Sequence, residues 1–140
     1  MNPIRQCECP PGALRVKPGK KKLAKLFKKA KKQNKKFIYF ENGIHEEKGK
    51  MIGVDFPVTI IGASRDRCIF KGGFRIAGQR EDNVAIENLT ICESKEFGIV
   101  GRGASFQLNK VTLDLCVNGI LVFGTQQNTM TDCKISNSKD

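Results

Sequence analysis

The sequence predicts a mainly β solenoid, a right-handed parallel β-helix of about four coils behind an amphipathic capping helix. Two repeats carry this expectation. The first is Val84–Ile91, which returns 22 positions on as Phe106–Leu113 and, more weakly, as Asn128–Ile135. Its apolar columns are Ile86/Leu108/Met130, Leu89/Val111/Cys133 and Ile91/Leu113/Ile135. The second is a glycine-bounded segment, Gly73–Gly78, that recurs as Gly98–Gly103 and Gly119–Gly124 with the apolar column Phe74/Ile99/Ile120. A unit of this length has no room for a helix, a strand and their turns. It fits short strands joined by tight bends, each coil stacking on the last at about 4.8 Å. Parallel crossovers of this kind are right-handed.

Each element follows in order. Residues 1–19 contain Pro10-Pro11-Gly12 and Pro18-Gly19 and read as an irregular arm. The β-helix domain occupies 20–140. Residues 20–36 read as a helix because Leu23, Leu26, Phe27 and Ala30 share one stripe, with Asn34 near its end and Lys35-Lys36 where the dipole favours cations. The first coil of a solenoid leaves its core and strand edges open, and a one-sided helix ahead of it serves as a lid. Residues 37–140 are the coils. Phe37–Phe40 is the first strand, Glu41-Asn42-Gly43 turns it, and strands follow near 50–54, 57–62 and 68–70. Insertions between repeats fall near 79–82 and 93–96, in bends that absorb length changes. The last coil is expected to be uncapped, and an open strand edge invites pairing with another chain.

Charge is segregated. Residues 1–40 hold 13 Lys and Arg against one acidic residue, Glu8, whereas residues 41–140 hold 12 basic and 13 acidic residues. A basic front of this kind attracts anions such as nucleic acid, anionic polysaccharide or a lipid surface, or serves as a solvated helix face. The candidate anion-binding residues are Lys20, Lys21, Lys22, Lys25, Lys28, Lys29, Lys31 and Lys32. There is no apolar run long enough for a membrane span and no apolar signal segment at the start. Six cysteines without such a signal suggest a reducing setting, intracellular or within a virion. Cys133 reads as core, and Cys92, which shares a column with Asp114 and Ser136, reads as outward. One histidine, His45, cannot complete a four-ligand metal site, so no metal or cofactor is expected. Beside Glu46 and Glu47, it reads as a partly exposed turn residue.

Three stretches resemble the pectin-lyase-like right-handed parallel β-helix superfamily. They are the opening strand and turn Phe37–Glu47, the strand Pro57–Gly62 and the rung Asn88-Leu89-Thr90-Ile91. His45 stands where the family's opening pattern usually has Tyr. The resemblance implies the fold. The superfamily spans polysaccharide lyases, hydrolases, esterases and epimerases as well as tail spikes, virion proteins and non-catalytic binding domains, and fold alone does not choose among them.

An enzyme of this fold gathers acids and bases on one exposed sheet. The nearest constellation is the outward column Asn88, Lys110 and Asp132, in which Lys110 and Asp132 are expected to form a surface ion pair. Arg102 is the one Arg or His expected near a carboxylate of the repeated region. There is no paired-carboxylate column and no tryptophan, and Tyr39 is the single tyrosine, which weakens a sugar-binding cleft. The leading expectation is a non-catalytic structural or binding module of a larger assembly or virion. It would contact a protein partner, or itself, at the open carboxyl-terminal edge, and an anionic polymer at the basic helix. The alternatives are the front part of a polysaccharide-active enzyme or a carbohydrate-binding module, and a nucleic-acid binder.

Overall fold

The computed structural model describes residues 7–116, 118–124 and 127–136. With 58% strand and one helix among the described residues, it is a mainly β, parallel solenoid of about 5 turns rather than the four expected. In chain order the elements are β1 (Leu14–Val16), β2 (Gly19–Lys20), α1 (Leu23–Lys32), β3 (Phe37–Phe40), β4 (Gly43–Val54), β5 (Val58–Gly62) and β6 (Cys68–Ala77). They continue as β7 (Asn83–Cys92), β8 (Phe97–Arg102), β9 (Ser105–Asp114), β10 (Asn118–Phe123), β11 (Thr129–Thr131) and β12 (Lys134–Ser136).

Every described pairing is parallel, and the strands fall into three stacks. The first runs β1, β3, β5, the front of β7, the front of β9 and β11. The second runs β2, the front of β4, the front of β6, the rear of β7, the rear of β9 and β12. The third runs the rear of β4, the rear of β6, β8 and β10. The columns read from the sequence are in register: Ile86 with Leu108 with Met130, Leu89 with Val111, Ile91 with Leu113 with Ile135, and Phe74 with Ile99 with Ile120. Leu89 and Val111 are fully buried, and half-buried Cys133 packs against the same core.

The repeated glycines serve the two purposes expected of them. A β-carbon on Gly73 would run into the Phe97 carbonyl of the next rung, so only glycine allows that approach. Gly103 sits at φ 82°, in the left-handed region that glycine enters without a steric penalty.

The front end begins earlier and the helix is shorter than expected. Leu14–Val16 pairs with Ile38–Phe40, so the chain enters the sheet inside the segment expected to be an irregular arm. Lys20 belongs to β2 and pairs with Glu46 instead of opening a helix. Lys22, at the helix start, offers no side-chain cap. That role passes to Glu47, whose Oε1 accepts the Ala24 N–H at 2.9 Å; this bond and Lys50 hold its carboxyl below the usual range. Asn34 terminates α1 in the left-handed region at φ 53°. The Asn34 N–H donates to the Lys31 carbonyl and the Lys35 N–H to the Ala30 carbonyl, a Schellman closure.

Leu23, Phe27 and Ala30 of α1 are buried in the solenoid core. The Phe27 ring lies 6.3 Å from Phe40 and 6.0 Å from Phe74, and Phe74 stacks on Phe70 at 4.4 Å. Burying a side chain of this size removes it from water at a gain of about 1.5–3 kcal/mol. The helix is thus held by the core it helps to fill.

His45 overturns the expectation of a partly exposed turn residue. It is fully buried, edge-on to Phe40 at 4.7 Å, with Nε2 2.6 Å from the Glu41 carbonyl. The carbonyl accepts, so Nε2 carries the proton, and Nδ1 has no partner among the described residues. The reason is alternation: in β4 the inward position falls on His45, and Ile44 is left 46% exposed. Burial pushes the imidazole below its usual value of 6.5, against the opposing pull of the Glu41 carbonyl. The unfolded chain therefore takes up a proton near pH 6.5 that the folded chain resists, and stability falls as pH drops below about 6.5. Because His45 is the single histidine, denaturant titrations from about pH 7 down to about pH 5 should show this loss in the native sequence and a flattened slope in His45→Phe.

Candidate functional site

The column Asn88, Lys110 and Asp132 is a line of corners. Each residue lies in the left-handed region, at φ 63°, 57° and 52°, where the chain turns from the first stack to the second. Each is stepped over in the strand register, which pairs Glu87 with Asn109 and then resumes at Leu89 with Val111. The Asn88 amide nitrogen is held by the preceding coil. Its Nδ2 donates to the carbonyls of Gly62 at 3.1 Å and Ala63 at 3.3 Å and lies 3.1 Å from the Cys7 thiol.

The ion pair expected between Lys110 and Asp132 is not the one that forms. Asp132 pairs with Arg65, Nη1 to Oδ1 at 3.3 Å. Arg65 Nε also donates to Thr112 Oγ1 at 3.0 Å, and the Thr90 hydroxyl donates to the Arg65 carbonyl at 2.7 Å. Arg65 therefore lies along three successive rungs and ties them together. It sits in the polar loop 63–67, outside the repeat, so no sequence period marked it. Arg102, the arginine expected near a carboxylate, instead lies over the Phe123 ring at 4.7 Å.

The eight candidate lysines are all exposed. They occupy α1 and the residues just before it, opposite the buried stripe. Lys20 reaches Glu46 at 3.9 Å, and Lys31 reaches Asp55 at 3.0 Å. Among the described residues, Lys21, Lys22, Lys25, Lys28, Lys29 and Lys32 form no ion pair. The apolar residues of α1 that could dip into a lipid surface pack in or against the protein core, and among the described residues no helix is long and apolar enough to cross a membrane.

A cleft of about 660 Å³ runs between α1 and the rear of β4. Its floor is apolar, with Ala24, Phe27, Val54, Phe56 and Ala77, and Lys28, Lys31, Lys32 and Arg75 stand around it. Asp55 is the one carboxylate in its lining. Nothing in the sequence marked this cleft, because its two walls lie some twenty residues apart.

Cys92 corrects another expectation. It is in register with Asp114 as expected, yet it is buried, not outward. Glu93 turns the chain beside it at φ 52° and pairs with Lys71 at 3.3 Å, and the Cys92 thiol lies 3.7 Å from the Glu93 carboxylate. All six cysteines are thiols. Burial pushes Cys68 and Cys92 up to about 12 and also raises Cys116. Among the described residues no three His, Cys, Asp or Glu side chains come together in a way that could hold a metal ion.

Lysine suits the left-handed corner poorly, whereas asparagine tolerates it. Lys110→Asn is expected to raise stability by about 0.5–1 kcal/mol in chemical denaturation. Thiol reactivity follows burial and thiolate character. In the native protein iodoacetamide should label exposed Cys7, and Cys68, Cys92 and Cys116 should stay unmodified by mass spectrometry until denaturant is added.

Compared with known proteins, the chain matches no family model, no curated sequence and no solved structure.

Proposed function

We propose that this chain is a right-handed parallel β-helix of the pectin-lyase-like type, closed at its first coil by α1, and that it works as a non-catalytic interaction module within a larger assembly. Its contact surface for an anionic partner is the lysine face of α1. The crossover rule for parallel strands supports the hand. The burial of Leu23, Phe27 and Ala30 at the front of the core supports the role of α1 as a lid. The outward polar column is occupied with structure: Asn88 holds a corner, and Asp132 is tied to Arg65. The six thiols suit a reducing setting, within a cell or a virion.

One observation carries the proposal. Six exposed lysines stand on and just ahead of one short helix without ion-pair partners among the described residues, and α1 has no acidic residue in its first turn. Uncompensated like charge on one face destabilises a free helix through i,i+4 repulsion. Here core burial holds the helix in place, and an approaching polyanion relieves the repulsion. A second contact surface in this proposal is the edge formed by β10–β12, where Val122, Phe123, Met130 and Ile135 are about half exposed and a partner protein or a second copy could add the next rung.

The test is polyanion binding against salt. Affinity for poly-L-glutamate and for duplex DNA should fall at least about tenfold between roughly 50 and 200 mM salt, by counterion release. The quadruple change Lys25→Gln, Lys28→Gln, Lys29→Gln, Lys32→Gln should weaken binding and flatten that slope. An affinity indifferent to salt would defeat the proposal.

A further inference from the structure

We infer that the cleft between α1 and the rear of β4 receives an extended acidic peptide, which adds to β4 as a strand. The inference rests on the lysine face being an anion-binding surface, and it names the partner.

The first support is an unfinished strand edge. From Met51 to Val54, β4 pairs with β6 alone among the described residues. The partner on its other side, β2, covers only His45 and Glu46. Beyond that point α1 stands across the cleft and supplies no strand, since a helix body has no spare backbone groups to complete a ladder. Alternate N–H and C=O groups of this stretch therefore face the cleft. Such an edge binds an extended chain through main-chain hydrogen bonds, with pockets for alternate side chains giving preference.

The second support is space and lining. Gly53 is exposed, and a β-carbon added there would meet nothing within 4 Å. The floor beside it is Phe27, Val54 and Phe56, which suits every second side chain of an inserted strand. Lys28, Lys32 and Arg75 surround that floor, and the single carboxylate, Asp55, is already engaged by Lys31 at 3.0 Å. Apolar side chains would thus alternate with carboxylates. A nucleic-acid duplex is too broad to enter and would lie on the outer lysines, leaving the strand edge untouched.

The probe is an acetylated hexapeptide of alternating valine and glutamate, with the same composition interrupted by proline as its control, measured on the full chain. The peptide should bind, slow amide exchange across 51–54 and outbind the proline form at least tenfold. Gly53→Tyr fills the cleft at a position with room for a side chain, and it should weaken the peptide at least tenfold while leaving the melting temperature and duplex DNA binding unchanged. Lys28→Glu with Lys32→Glu should weaken it similarly. Binding without protection of 51–54, equal affinity for the proline form, or full affinity in Gly53→Tyr overturns strand addition and leaves the anion-binding face standing. Binding of duplex DNA or poly-L-glutamate without the hexapeptide has the same meaning. If none of the three binds, the lysine-face proposal fails and takes this one with it.

Discussion

Parallel pairing of one rung on the next is the constraint from which the rest of this structure follows. Backbone groups of each coil are satisfied by the coils above and below, so the chain must return to the same place at nearly the same interval. That demand fixes which side chains lie over which. It puts Ile86, Leu108 and Met130 in one file, and it makes Asn88, Lys110 and Asp132 successive corners of one edge. The corner amide of Asn88 satisfies the carbonyls of Gly62 and Ala63 on the preceding coil, a polar counterpart to the apolar files within.

The same constraint explains the tension at the front end. Two stacks begin with β1 and β2, whereas the third begins, among the described residues, with the rear of β4, and α1 lies across a cleft from it. The helix contributes Leu23, Phe27 and Ala30 to the interior and is anchored at its start by Glu47 and at its end by the closure at Asn34. Filling the core from one stripe leaves the opposite face to lysines, with half-buried Ala24 and Leu26 at the margins. Because a helix cannot extend the ladder, the rear of β4 has one strand neighbour among the described residues, and a cleft lies beside it.

Two polar residues show how the stack accommodates exceptions. His45 takes an inward position that alternation reserves for an apolar side chain, and one hydrogen bond to the Glu41 carbonyl offsets part of the cost of its burial. Arg65 spans rungs outside the core, and its fixed fork suits contact with Thr112 and Asp132 at once. Arg65 owes its partners to coiling, whereas the His45 bond is local, to a carbonyl on the turn just before it.

The sequence by itself determined what depends on spacing. Residues 22 apart repeat in kind, so the parallel solenoid, the interior files, the glycine bends and the buried stripe of α1 were all legible, as was the lysine face left opposite that stripe. Only the tertiary structure decided the rest. It placed Leu14–Val16 in the sheet, turned His45 and Cys92 inward, gave Asp132 to Arg65 instead of Lys110 and opened the cleft along Met51–Val54. The physical reason is that periodicity tells which positions stack but not how the non-repeating segments lie. A loop, a terminal strand or a helix edge takes its neighbours from the coil it packs on, and those neighbours are remote in the chain.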